Sequence, residues 1–149
     1  MFNPAGWLLI SILTISNVEV PEDGHIQWYF SSVKQDKSEC NLEFTATIDH
    51  GWHLYSQSIE DGGPKPTTFK FDMRDDVRLL GKVVEIGERR IVYDSTFMMD
   101  VAWYEDKVMF TQRVKCRPDV KVTGEISYSV CSEERCIPGT VRFSIDTRE

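Results

Sequence analysis

The chain has 149 residues, 28% of them charged and 41% hydrophobic, and a formal net charge of −7. That length suits one domain with a substantial core, and the negative balance, with no basic cluster against it, argues against nucleic acid or an anionic membrane surface as the main partner. Four cysteines are too few for a disulfide-rich miniprotein and fit either an exported domain with one or two bridges or a cytosolic protein with free thiols.

The first predicted element is the apolar run Trp7 to Ile15, followed by the polar Ser16-Asn17. It is too short to cross a bilayer, which takes about 20 apolar residues, but it matches the hydrophobic stretch of a secretion signal. No Lys or Arg precedes Lys34 and no clean small-x-small cleavage site follows, so a buried first strand is the competing reading. Residues 1–20 are accordingly read as a signal peptide or leader, and residues 21–149 as one domain.

From residue 25 onward the pattern is β. Candidate strands are His25 to Val33, Cys40 to Ile48, Thr67 to Phe71, Leu79 to Ile86, Phe97 to Tyr104, Val108 to Val114, Val122 to Cys131 and Thr140 to Ile145. Turn signals separate them at Asp49-His50-Gly51, over Glu60 to Pro66, at Glu105-Asp106-Lys107 and at Arg117-Pro118-Asp119. No stretch past the leader keeps a helical period. Short strands at this spacing predict an all-β fold, an immunoglobulin-like antiparallel sandwich with no internal division.

The last two strands form a hairpin. Ile126, Tyr128 and Val130 share one parity before the turn Ser132-Glu133-Glu134-Arg135, and Ile137, Val141, Phe143 and Ile145 share one after it. Cys131 and Cys136 fall on the opposite, polar parity at the last rung. Directly opposed residues there have Cα atoms about 4.5–5.5 Å apart, within disulfide range. Such a small ring stabilises by only roughly 2 kcal/mol, against about 4.5 for the long loop between Cys40 and Cys116. A bond that adds so little to a hairpin already held by its backbone reads better as one that opens and closes than as an inert clip. A zinc site lacks a second close ligand pair. No metal and no cofactor is expected. A thioredoxin fold is excluded as well, because its Cys-x-x-Cys sits at a helix N-terminus, whereas here the flanks are strands. Glu133 and Glu134 raise a neighbouring thiol's pKa and Arg135 lowers it, so the pair suits a disulfide attacked by a partner's thiolate.

The hairpin ISYSVCSEERCIPGTVRFSI, together with GWHLYSQ at 51–57 and YDSTFMMDVAWYEDKVMFTQRV at 93–114, resembles the N-terminal domain of the DsbD family of transmembrane thiol–disulfide reductases, over about residues 25–146. The resemblance implies an immunoglobulin-like periplasmic domain whose last hairpin carries a redox pair, Cys131 and Cys136. It implies electron transfer between thioredoxin-fold proteins, donor and acceptor, through mixed disulfides, with Cys136 as the cysteine that forms them. It places Phe97 on a cap over the disulfide, with Met98 facing the partner, and puts Tyr55 and His53 near the site. Ser95 and Thr96 replace acidic residues of some members, leaving Asp94 as the nearest carboxylate. With no membrane-spanning segment in the chain, any electron donor acts in trans unless a longer protein surrounds it.

Read from the residues alone, Phe97 and Met98 are core packing at a strand start, Trp52 is sandwich core, and Tyr55 reaches the site with its hydroxyl. His53 reads as an exposed or hydrogen-bonded surface residue rather than a base, since exchange needs only a thiolate. Cys40 and Cys116 form either a second bridge or two buried thiols. Two rivals to an exported exchange domain stand: a non-catalytic β-sandwich binding module with a hairpin clip, and a cytosolic thiol protein with a buried N-terminal strand.

Overall fold

The computed structural model describes residues 24–116 and 120–147. The leader at 1–20, the alternative strand at 7–15 and the turn at Arg117-Pro118-Asp119 lie outside them. Ten strands occur among the described residues: β1 (Ile26–Lys34), β2 (Glu39–Ile48), β3 (His53–Tyr55), β4 (Thr68–Phe71), β5 (Val77–Gly87), β6 (Arg90–Asp94), β7 (Met99–Tyr104), β8 (Lys107–Cys116), β9 (Lys121–Cys131) and β10 (Cys136–Asp146). They form two antiparallel sheets, one ordered β1-β2-β8-β5 and the other β10-β9-β3-β7-β6, with β4 pairing β9 beyond β3. The all-β immunoglobulin-like sandwich is what the alternation required.

Each predicted strand is present, most with slightly wider limits. Strand β7 is the exception: it starts at Met99, and Ser95 to Met98 make the turn that joins it to β6. Two strands went unpredicted. The short β3 lies in the GWHLYSQ segment, and β6 is an edge strand whose Ile91, Val92 and Tyr93 are all exposed, so it shows no alternation to detect.

Inward parity builds one core. In β2, Cys40, Leu42, Phe44, Ala46 and Ile48 face in; in β9, Val122, Ile126, Tyr128 and Val130 do so. Phe44 packs edge-on to Phe143 at 4.8 Å and Phe69 at 5.1 Å between ring centroids, and Trp28 lies 5.5 Å from Tyr128. Glu85 of β5 ties the sheets at one end: its carboxylate accepts hydrogen bonds from the Ser56 hydroxyl, the Gln57 amide and the Tyr104 hydroxyl. The Tyr104 phenol is pushed well above its ordinary pKa by burial and by that bond.

The β9–β10 hairpin is the longest pairing in the second sheet, running from Lys121↔Asp146 to Cys131↔Cys136. Opposite Tyr128 stands Gly139, and a Cβ there would lie 2.3–2.6 Å from the Tyr128 ring and hydroxyl. Only glycine lets that ring pass. Gly139→Ala therefore overpacks the hairpin and is expected to destabilise the domain by about 1–3 kcal/mol, read as a lower urea midpoint at unchanged m.

Candidate redox site

At the tip of the hairpin the Ser132 amide donates to the Arg135 carbonyl at 2.8 Å, and the Ser132 hydroxyl accepts from the Glu134 and Arg135 amides. These bonds close the turn and set Cys131 and Cys136 opposite one another. A disulfide joins them, with Cα atoms 4.0 Å apart. Arg135 is drawn over the Trp52 ring, 5.6 Å from its centroid, and Trp52 in turn stacks on His25 at 3.9 Å. Trp52 is thus a half-buried residue at the margin of the core rather than part of its interior.

The two cysteines are not equivalent. Cys136 is exposed, while Cys131 is only 1% exposed. The parity reading, which put both on a polar face, is corrected here. The outer face of the second sheet carries its own small apolar cluster of Tyr55, Val101 and Cys131, flanked by Ile59, Met99 and Trp103. Contacts from β3 and β7, remote in sequence, cover one sulfur-bearing residue and leave the other bare.

The cross-strand register makes the neighbourhood explicit. Cys131 is paired on one side with Cys136 and on the other with His53. Tyr55, two residues along, is paired with Trp103. His53 stacks on Trp103 with ring centroids 3.8 Å apart, and its Nε2 lies 3.4 Å from the Tyr55 hydroxyl. It is half-buried against aromatic rings, not an exposed surface residue. Burial holds its pKa below the ordinary value, against the upward pull of Glu105 and then Asp94. Burial, with Asp94, pushes the Tyr55 phenol upward.

Phe97 and Met98 lie in the β6–β7 turn. Asp94 shapes that turn by accepting the Thr96 amide at 2.8 Å and the Phe97 amide at 3.4 Å. Its carboxylate therefore caps its own hairpin. Met98 is 78% exposed and has a positive φ of 54°, a left-handed conformation that costs a non-glycine residue roughly 1–2 kcal/mol. Phe97 is half-buried, and Cys136 remains exposed with Phe97 in place. An open cleft of about 700 Å³ is lined by Phe97, Asp94, Tyr55 and His53 as well as Cys136 and its turn. The structure thus gathers Cys136, His53, Tyr55, Asp94 and Phe97 around one cleft, with Cys131 buried behind Cys136 and Met98 next to Phe97 in the turn. Sequence reasoning did not single out Trp103, although it lies in the 93–114 segment; strand pairing places it here. Cys40 is buried in β2 opposite Val114, away from this cleft, and Cys116 ends β8 in the same sheet. No cluster of metal-ligating side chains occurs among the described residues, nor does any helix there long and apolar enough to cross a membrane.

The sequence model of a family described as the N-terminal part of the thiol:disulfide interchange protein DsbD matches residues 19–147. No curated protein sequence matches the chain. Among solved structures, the N-terminal periplasmic domain of ScsB from Proteus mirabilis is similar with a TM-score of 0.66 at 16% identity, over 90% of this chain and 51% of that one. The chain thus spans about half the length of that domain. The reduced DsbD N-terminal domain of Neisseria meningitidis is similar at a TM-score of 0.53 and 16% identity, over 85% of this chain and 87% of that one. A complex between the DsbD and PilB N-terminal domains of the same organism gives 0.51 at 16%, over 88% of each chain.

The lowered His53 pKa has a thermodynamic consequence. Above the unfolded value of 6.5 the ring is neutral in both states and contributes no pH dependence. Below it the unfolded chain binds the proton first, so stability is lost as pH falls. The wild type should therefore lose more stability than His53→Gln on acidification through about pH 6.5, with the gap between them constant above that window; urea midpoints across the range measure it.

Proposed function

Because the chain belongs to the family of DsbD N-terminal domains, we propose that it is a thiol–disulfide interchange domain that relays reducing equivalents between thioredoxin-fold proteins in the cell envelope, through the reversible Cys131–Cys136 bond. The observation that carries this reading is the unequal burial of the two cysteines beside an open cleft. Exchange requires a thiolate to reach one sulfur in line with the bond. The exposed Cys136 offers that approach and the buried Cys131 does not.

The reduced domain acts through the Cys136 thiolate, which attacks a partner's disulfide and forms a mixed disulfide. Cys131 then displaces the partner's sulfur and restores the Cys131–Cys136 bond, leaving the partner reduced by two electrons. Re-reduction runs the same steps backwards with a donor's dithiol. Phe97 limits access to Cys136 for molecules that do not dock, and the exposed Met98 meets the partner on the same margin. The complex of the Neisseria DsbD domain with a PilB domain supports a protein partner. An envelope location follows from the same reading, since such a pair must meet both oxidised and reduced partners.

The binding-module alternative predicts a bond that stays closed. A reduction potential well below about −300 mV marks a structural disulfide, and a value above it a working one. We expect the latter. Cys131→Ala should accumulate mixed disulfides on Cys136 in a periplasmic extract, whereas Cys136→Ala should trap far less through the buried Cys131; trapping by neither variant would sink the proposal. The double Cys131→Ala/Cys136→Ala variant should abolish exchange yet remain folded, losing only about 2 kcal/mol, as followed by circular dichroism and urea unfolding. Phe97→Ala should speed reduction of the bond by small thiols, measured as the rate of thiol release.

A further inference from the structure

Resolution of the mixed disulfide presents a chemical problem that the exposed sulfur does not share. The resolving nucleophile is Cys131, which is 1% exposed among Tyr55 and Val101. Burial disfavours the charged form of a thiol, yet only the thiolate attacks. A base that reaches Cys131 without solvent is therefore needed, and few groups are placed to serve.

Resting on the exchange reading above, we propose that His53 is the general base that takes the proton from the Cys131 thiol as that cysteine resolves the mixed disulfide on Cys136. Three observations carry it. His53 and Cys131 are direct cross-strand partners, so their side chains leave the same face of the sheet with Cβ atoms about 4.5–5.5 Å apart. The imidazole is fixed in that region by stacking on Trp103 and by its contact with the Tyr55 hydroxyl. It also lines the cleft that Cys136 opens onto. Burial keeps the ring neutral and hence ready to accept a proton at neutral pH.

The step balances. His53 takes the Cys131 proton and becomes imidazolium; the Cys131 thiolate attacks the Cys136 sulfur and forms the intramolecular bond. The bond from Cys136 to the partner breaks, and its electron pair leaves on the partner's sulfur, which collects the proton from His53. The charged groups facing the ring decide whether imidazolium can form. Asp94 and Glu105 favour it, although Glu105 is shared with Arg90 at 3.4 Å. Around the cleft Glu133 and Glu134 add negative charge, Arg135 is drawn onto Trp52, and burial holds the Tyr55 phenol in its neutral form. Burial outweighs these carboxylates, so the imidazolium forms only transiently and passes its proton on.

The reduced protein, oxidised by bis(2-hydroxyethyl) disulfide and quenched with acid at intervals, reports formation and decay of the mixed disulfide by mass spectrometry. His53→Phe keeps an aromatic ring against Trp103 but no base, and His53→Gln gives an independent check. Both should form the mixed disulfide as fast as the wild type and resolve it about 100-fold more slowly or worse at neutral pH. The wild-type resolution rate should rise with pH through the His53 titration below 6.5 and then level, and the variants should lack that step. Equal resolution rates and pH profiles in wild type and variants would overturn the role of His53 and leave the exchange reading intact. Absence of any mixed disulfide in the wild type would overturn both.

Discussion

The register of β9 is the constraint on which the rest of the molecule depends. Val122, Ile126, Tyr128 and Val130 must face the core, and that fixes Ser129 and Cys131 on the outer face. A slip of one residue would exchange the two sets, burying hydroxyls and the cysteine in the aromatic core. The slip is opposed from both sides. Tyr128 fits only over Gly139, and Gly124 lets the Phe143 ring and the Lys70 carbonyl approach where any side chain would collide. The same parity that packs the sandwich thus brings Cys136, Cys131 and His53 into one cross-strand row.

Exposure differs along that row: Cys136 is bare, Cys131 is buried and His53 is half-buried. The contrast between the two cysteines arises from position in the sheet: β10 is an edge strand, whereas β9 has neighbours on both sides. An edge offers approach to a macromolecule, and an interior strand offers cover. On the proposed reading these differences assign the chemistry. The accessible sulfur meets the partner, and the covered one waits for a base. The strained, exposed Met98 on the β6–β7 turn fits the same division, since a left-handed methionine persists only where the surrounding structure imposes it.

Much of this was legible in the sequence. Strict alternation in β2 and β9 marked their limits and inward sets almost to the residue, because each has one face on the core and one face elsewhere; in β10 it marked the inward set, while the strand begins four residues before the expected Thr140. The hairpin and its cysteine pairing followed from parity and turn length alone. What escaped was whatever depends on contacts between distant segments. Edge strand β6 has Ile91, Val92 and Tyr93 in succession, a β-prone run without burial contrast, and β3 is too short to establish a period. Without β3 and β7 in place the alternation alone does not indicate that Cys131 is covered or that Trp103 joins the site, and only the family resemblance put His53 near it. Parity distinguishes two faces of a strand but says nothing about what lies on the outer one.

On the proposed reading the hairpin also explains how such a bond opens without loosening the fold. Beyond the cysteine rung, β9 and β10 stay paired from Ile137↔Val130 to Asp146↔Lys121, and the inward side chains of both strands belong to the main core. Breaking the sulfur bond releases only the entropy of a small ring, a minor part of a domain's usual 5–15 kcal/mol. The backbone around the sulfurs is therefore positioned by packing in either redox state. A thioredoxin fold activates its thiol with a helix N-terminus. The cysteines here lie on strands rather than at a helix N-terminus, so on the proposed reading access, docking and one neighbouring base supply the selectivity. On that reading the disulfide yields chiefly to partners able to fill the cleft beside Phe97.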